Sequence, residues 1–350
     1  MITRIDTATV EPTLSRVVGC VLGGAIGDAL GANIEFDDAA TIAARFGPDG
    51  VRAYVAGEYP AGSITDDTQM TLFTCEGLIR AEAQLREAGS TDPIAVLHGA
   101  YERWLATQRG IPIDPAAAGL LGRQGLLHVQ RAPGATCIAA LEQGVVPARN
   151  DSKGCGAVMR SAPFGVLSSR ELAFEMARDA ATITHGHPTA SIAAGALAAM
   201  VFDALRARPI EDAATAALEL VRKHEHGAET AAAIDMALWE AAQGRKGASS
   251  VELLGKGWVA EEALAIALLA ALVGETPLDA MSIAVTHGGD SDSTGAICGN
   301  LVGASVGAER LPGEFVEGLE CAELVVLVAT DLHRCVVEGE APSTRDYPAS

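Results

Sequence analysis

Two short acidic segments carry the residue types that bind a hard metal ion. The first is Thr-Asp-Asp-Thr at 65–68, and the second is Asp-Ser-Asp-Ser-Thr at 290–294, directly after two glycines. Each opens a segment with helical periodicity, where a single Asp, Ser or Thr is enough to cap the free backbone N–H groups. Capping therefore remains an alternative for either segment alone, although five consecutive oxygen-bearing side chains exceed what a cap requires. Their hard oxygen ligands suit Mg²⁺, Mn²⁺ or Ca²⁺ rather than zinc.

The four carboxylates of Asp66, Asp67, Asp290 and Asp292 would repel one another strongly if the fold brought them together without cations. Two divalent ions would neutralise them. The second segment also resembles the opening of an EF-hand loop, but the Gly and Glu that such a loop needs do not follow at the required positions. We therefore predict a metal site assembled from both segments.

A glycine-containing segment at 150–160 is suited to an anionic ligand. Gly154 and Gly156 let the backbone approach a ligand closely, and the N–H groups of a following helix start can hold a diphosphate. An ordinary surface loop has the same pattern. His185 and His187 precede another expected helix without a third nitrogen or thiolate ligand, so turn stabilisation competes with ligand contact for this pair.

Helices must position these segments, because the chain is rich in Ala and Leu, which are strong helix formers, and strand-like alternation is rare. We expect an all-α fold: a single compact, orthogonal helical domain of ten or more helices over residues 13–339, with flexible termini at 1–12 and 340–350. The expected helices cover 14–32, 68–88, 94–107, 171–183, 189–206, 211–224, 228–243, 259–273, 277–284, 294–308 and 315–337.

Two of these helices carry glycine at every fourth position, at 19, 23, 27 and 31 and at 295, 299, 303 and 307. A glycine inside a helix costs about 1 kcal/mol relative to alanine, so four on one face imply a compensating close approach to another helix. Asp28 and Glu35 stand at the end of the first helix, and the second acidic segment stands at the start of the other. Tight packing of the two helices would hold both sets of carboxylates firmly.

Composition restricts the class of protein. The formal charge of −20 argues against general nucleic-acid binding, although a bound cation can reverse the field within one pocket. Seven dispersed cysteines without CxxC spacing indicate a reducing cytoplasm. We expect no membrane association, because we find no signal peptide and no charge-free apolar stretch of spanning length.

The chain resembles the ADP-ribosylglycohydrolase family, which includes the dinitrogenase reductase-activating glycohydrolases. The matching pieces are GCVLGGAIGDALGANIEF at 19–36, TDDTQM at 65–70, SKGCGAVMRSAP at 152–163, ITHGHP at 183–188 and GGDSDSTGAICGNLVGA at 288–304. They stand in the family's order over most of the chain. The family's fold is all-α, in agreement with the helical periodicity.

The resemblance implies a binuclear Mg²⁺ or Mn²⁺ site and a set of substrate contacts. It assigns Glu35, Asp66 and Asp67 to catalysis. The implied metal ligands are Thr65, Asp66, Asp67, Asp290, Asp292 and Ser293. The implied contacts to ADP-ribose are Ser152, Lys153, Gly154, Cys155, Gly156 and His185. Many relatives have Asn in place of Cys155, and some have Tyr in place of Lys153.

The implied activity is metal-dependent hydrolysis at the anomeric carbon of ADP-ribose in an ADP-ribosylated protein or small molecule. Ser293, directly after the second Asp, favours the arginine-cleaving branch slightly. Alternatives are serine-linked ADP-ribose, O-acetyl-ADP-ribose, a nucleotide phosphoesterase, or a non-enzymatic, crystallin-like relative. Glu261 and Glu262, which follow Trp258, are interpreted as helix caps, with contact to a cationic leaving group as the alternative.

Overall fold

The computed structural model describes residues 10–245 and 247–349, and within them the chain forms fifteen α-helices and no β-strand. The helices are α1 Leu14–Gly31, α2 Ala39–Phe46, α3 Asp66–Ala88, α4 Pro93–Arg109, α5 Ala135–Gln143, α6 Arg170–Ala181, α7 Pro188–Leu205, α8 Ile210–Val221, α9 Ala228–Ala242, α10 Ala248–Val251, α11 Ala260–Val273, α12 Pro277–Val285, α13 Ser291–Val306, α14 Gly313–Gly318 and α15 Ala322–Leu332. The predicted all-α fold is confirmed.

Helices α1 and α13 pack together along the two glycine stripes. A Cβ atom added at Gly23 would lie 2.3 Å from the carbonyl oxygen of Gly299, and one added at Gly27 would lie 1.9 Å from that of Gly295. Backbone therefore contacts backbone at these crossings, which no residue larger than glycine permits. The Asn300 amide also donates to the carbonyl of Cys20 over 2.8 Å.

Within residues 10–245 and 247–349, two helices, α1 and α7, are long and apolar enough to cross a membrane, with mean hydropathies of 1.3 and 1.5. Most of each helix is buried inside the fold, 83% of α1 and 94% of α7. Burial among other helices is typical of core helices of this composition, so their length and hydropathy are weak indications of a membrane span.

Several expectations about local structure were wrong. Helices α2, α5 and α10 lie where no helix was expected; α2 is short, and Ile42 is its single buried residue. The helix expected over 315–337 is interrupted after Gly318, where the carbonyl of Gly62 accepts from the N–H of Glu320 over 3.0 Å. Helical periodicity depends on residues a few positions apart, so it cannot predict this long-range hydrogen bond.

The segment expected to form a loose C-terminal tail instead packs along α3. Tyr347 is buried, and its hydroxyl donates to Asp331 over 2.8 Å. The Arg80 guanidinium donates to the carbonyl of Pro348 over 3.2 Å, and the Gln84 amide donates to that of Ala349 over 2.7 Å. These two hydrogen bonds and the buried aromatic ring hold the segment in place. Residues 1–9 and 350 of the expected flexible termini lie outside the described residues.

Candidate active site

Asp28 fixes the first acidic segment from within α1. Its carboxylate is fully buried and accepts the backbone N–H of Thr65 over 3.0 Å, the hydroxyl of Thr65 over 2.9 Å and the N–H of Thr68 over 3.1 Å. The Thr68 hydroxyl also donates to it. The sequence identified Asp28 only as a carboxylate near the end of the glycine-striped helix. The signal that could have identified its role was a lone Asp in an otherwise apolar, glycine-striped helix.

Asp66 and Asp67 follow at the start of α3. Asp66 Oδ2 accepts the N–H of Gly134 over 3.0 Å, and the N–H of Asp66 donates to the carbonyl of Arg131 over 3.0 Å. Asp67 Oδ1 is buried without a hydrogen-bond partner among the described residues. The Thr65 hydroxyl contacts Asp28 and Asp67, and Thr65 does not line the cavity that the two aspartates face.

The second acidic segment meets Glu35 at the start of α13. Carboxylate oxygens of Glu35, Asp290 and Asp292 all lie within 4.8 Å of one another. Glu35 stands in the turn after α1, so the packing of the two striped helices brings it to this position. A Cβ at Gly289 would lie 2.0 Å from the carbonyl of Lys256, which explains why the turn before Asp290 needs glycine.

Burial and mutual repulsion dominate the electrostatics of the acidic group. Burial, together with the charges of Asp292 and Asp290, raises the pKa of Glu35 to about 10, and burial with the charge of Asp292 raises the pKa of Asp28 to about 7. Burial is also the leading cause of the raised pKa values of Asp66, Asp67, Asp290 and Asp292. The acidic side chains of such a cluster are all ionised only when a positive charge lies beside them.

The donor set fits a divalent cation. Glu35 Oε2 and Asp67 Oδ1 are buried oxygens without a hydrogen-bond partner in the described part of the chain, and a buried unpaired polar atom is costly. Every side chain in the cluster offers a hard oxygen, as Mg²⁺ and Mn²⁺ prefer. Glu35 belongs to the tightest cluster, although the family resemblance assigned it a catalytic role rather than ligation.

A cavity of about 260 Å³ joins the acidic group to the glycine-containing loop. Gly154, Cys155, Gly156 and His185 line this cavity together with the carboxylates. The Cys155 thiol donates to Asp290 Oδ2 over 2.6 Å. Two segments that lie far apart along the chain therefore share one cavity.

His185 faces this cavity as a neutral ring. Burial and the nearby Arg160 guanidinium lower its pKa to about 3. Its Nδ1 atom lies 2.8 Å from the Thr184 hydroxyl, which leaves Nε2 for a ligand. His187 instead caps α7 by accepting from the N–H of Thr189 over 3.2 Å.

Two other predicted residues of the loop do not line the cavity. The Lys153 ammonium pairs with Glu229 over 2.8 Å and also with Glu261. The Ser152 hydroxyl lies 3.1 Å from that of Thr136 and accepts from the N–H of Gly154. Lys153 therefore stabilises the outside of the loop, and Ser152 shapes its turn.

Glu261 and Glu262, which were considered as contacts for a cationic leaving group, are engaged within the protein. Glu261 pairs with Lys153, and Glu262 accepts from the N–H of Lys256 over 2.9 Å. His287 contacts the Thr294 hydroxyl over 2.9 Å in the turn before α13.

The all-helical fold places buried carboxylates and a glycine loop around one cavity, as an enzyme active site requires, and the comparisons with known proteins identify the family. The model of the ADP-ribosylglycohydrolase family matches residues 9–341. The chain belongs to the ADP-ribosylglycohydrolase family, as its sequence motifs predicted, and it is an ADP-ribosylglycohydrolase by this membership.

Relatives match nearly the whole chain. An ADP-ribosyl-[dinitrogen reductase] glycohydrolase of Rhodospirillum rubrum is 27% identical over 312 residues, which cover 87% of this chain and 90% of the relative. An uncharacterized protein of Archaeoglobus fulgidus is 28% identical over 321 residues, or 90% and 94% of the two chains. A solved ADP-ribosylglycohydrolase-related protein complex superposes with a TM-score of 0.69 at 28% identity, covering 92% of this chain and 98% of that one.

Proposed function

We propose that this protein hydrolyses the bond between the distal ribose of ADP-ribose and an arginine side chain, with two Mg²⁺ or Mn²⁺ ions held by the acidic cluster. The single observation that carries the proposal is the cavity in which Glu35, Asp66, Asp67, Asp290 and Asp292 face the glycine loop. The carboxylates of this cavity suit cations, and Gly156 and His185, which line it as well, suit an anionic diphosphate. Support for the arginine linkage comes from Ser293, and the name of the relative of Rhodospirillum rubrum supports an ADP-ribosylated protein as the substrate.

The metal ligands in this proposal are Asp66, Asp67, Asp290, Asp292 and Ser293, whereas Thr65, which was also predicted as a ligand, positions Asp67 through its hydroxyl. When bound, the two cations would orient the vicinal ribose hydroxyls and polarise a water molecule. Asp28 holds Thr65 and Thr68 and thereby sets the position of the first pair of aspartates.

Glu35 or a cluster aspartate accepts the proton of the attacking water. The bond from the anomeric carbon to the leaving nitrogen breaks as the bond to the water oxygen forms, through an oxocarbenium-like transition state. The N–H group of Gly156 and the ring of His185 hold the diphosphate, while the N–H groups of Gly154 and Cys155 donate to Ser152 and to the carbonyl of Trp258 and thereby fix the loop. Water adds its hydroxide to the sugar and its proton to the leaving group, so the products are ADP-ribose and arginine, and no redox cofactor is needed.

The test is a release assay on ADP-ribosylated arginine, ADP-ribosylated serine and O-acetyl-ADP-ribose, run side by side. Free ADP-ribose should form fastest from the arginine substrate, EDTA should stop its release, and Mg²⁺ or Mn²⁺ should restore it. Asp292→Asn should remove turnover in the same assay. Release of phosphate or AMP would instead indicate a phosphoesterase, and full activity in metal-free buffer would overturn the metal site.

We also propose that the protein works in a reducing cytoplasm. All seven cysteines are free thiols, six of them buried.

A further inference from the structure

A second cleft adjoins the catalytic cavity on the far side of Glu35. It has a volume of about 570 Å³, and the catalytic cavity has about 260 Å³. Glu35 and Trp258 line both spaces, whereas none of Asp66, Asp67 and Asp290 lines the second cleft. Glu35 Oε2 is buried and has no hydrogen-bond partner among the described residues. Glu35, which carries this unpaired carboxylate oxygen, thus lies between the two spaces.

The cleft has the chemistry of a site for a cation. Its ionisable lining consists of Glu35, Asp37, Asp38 and Glu252 against a single ammonium, that of Lys256. Asp37 is paired with Arg45, and Asp38 caps α2 by accepting from the N–H of Thr41. The Glu252 side chain is exposed and makes no hydrogen bond or ion pair with the described residues, which leaves it available to a ligand.

An aromatic pair stands beside these carboxylates. The rings of Phe36 and Trp258 are stacked with centroids 6.0 Å apart and an interplanar angle of 21°. Phe36 is 76% exposed, more than any other large apolar side chain in the described ranges, and Trp258 is 41% exposed. Keeping two aromatic faces in water is unfavourable unless a partner covers them. A planar guanidinium binds to aromatic faces and to carboxylates at the same time.

We propose that this cleft is the subsite for a guanidinium leaving group, formed by Glu252, Phe36 and Trp258. The proposal rests on the proposed function, because that function places the scissile bond beside Glu35, with the diphosphate on the loop side. The group on the other side of the bond must then leave through the second cleft. A neutral serine or acetyl leaving group gains no electrostatic attraction from the carboxylates of the cleft. The cleft therefore selects a cationic leaving group over a neutral one.

The first experiment measures selectivity as the ratio of kcat/KM on ADP-ribosyl-arginine to kcat/KM on O-acetyl-ADP-ribose. We expect Glu252→Gln to lower this ratio about threefold and Glu252→Lys about tenfold, as loss and reversal of one partly exposed charge contact imply. Phe36→Leu should lower it about fivefold through the lost cation–π contact. The matched control Glu323→Gln, in the first turn of α15, should leave the ratio unchanged.

The second experiment needs no turnover. N-acetyl-L-arginine amide and its neutral isostere N-acetyl-L-citrulline amide are titrated against the wild-type protein in a calorimeter. The arginine compound should bind at least about tenfold more tightly, and Glu252→Lys should remove the difference. If wild type hydrolysed none of the substrates, the proposed function would fail, and this titration would still decide about the cleft. Equal binding of the two compounds, or an unchanged selectivity ratio in the Glu252 variants, would overturn the subsite.

Discussion

Replacing Gly27 by alanine tests whether the contact between α1 and α13 sets the position of the acidic cluster. The new Cβ would lie 1.9 Å from the carbonyl oxygen of Gly295, about 1.5 Å short of the 3.4 Å at which ordinary contact begins. The obstacle is backbone on a second helix, so no rotamer change relieves the overlap. The two helices must separate, and Asp28 and Asp292, which stand next to the crossing, must move with them.

The magnitude follows from two opposing effects. Alanine in place of glycine stabilises a helix by about 1 kcal/mol. Overpacking a rigid contact typically costs about 1–3 kcal/mol, and occasionally more. Because the overlap involves backbone on both helices, we expect the upper end of this range and a net loss of about 2 kcal/mol in the free energy of unfolding.

The matched control is Gly99→Ala in α4, where the nearest atom to a new Cβ is the end of the Arg103 side chain at 3.6 Å. That variant should be as stable as wild type or more stable by up to about 1 kcal/mol. Urea unfolding followed by circular dichroism measures both variants. If Gly27→Ala were as stable as Gly99→Ala, backbone contact between α1 and α13 would not limit the separation of the two helices.

Four further predictions concern the site. Asp28→Asn should destabilise the fold by about 1–3 kcal/mol and lower kcat, because an amide nitrogen cannot accept the N–H of Thr68. If urea unfolding and kcat were both unchanged, Asp28 would have no positioning role. Glu35→Gln should lower kcat about 10²–10⁴-fold, while the affinity for ADP-ribose, measured by calorimetry, should stay within a few-fold of wild type. Near-normal turnover would mean that an aspartate of the cluster, and not Glu35, is the general base. ADP-ribose should raise the melting temperature more with Mg²⁺ than with EDTA; equal shifts would mean that the nucleotide binds away from the cations. In EDTA, the melting temperature should fall between about pH 6 and about pH 9. The pKa of Glu35 is raised from 4.5 to about 10 in the folded protein, so its protonation adds stability that is complete below pH 4.5 and is lost as the pH rises towards 10. A melting temperature that does not change with pH in EDTA would contradict this prediction, whereas Mg²⁺ should remove the pH dependence.

The amino-acid sequence by itself determined the helical class, most of the helix positions, the family and the residues of the acidic cluster. These features depend on local information. Composition and periodicity decide where a helix forms, and each acidic segment keeps its carboxylates within a few residues of one another. The glycine stripes even indicated that α1 lies close to another helix, because a costly residue repeated on one face is stable only where close packing compensates for it.

Only the tertiary structure decided which side chains face the cavity. Lys153 lies in the loop whose glycines line the site, yet its ammonium turns outward, because Glu229 and Glu261 from two other helices meet it there. Asp28 was an isolated acid in an apolar helix until folding brought Thr65 and Thr68 to its oxygens. The break after Gly318 and the packed C-terminal segment likewise depend on partners far along the chain. Contacts of this kind depend on packing between elements that are distant along the chain. Local sequence patterns therefore do not specify which way such a side chain points or which residue it contacts.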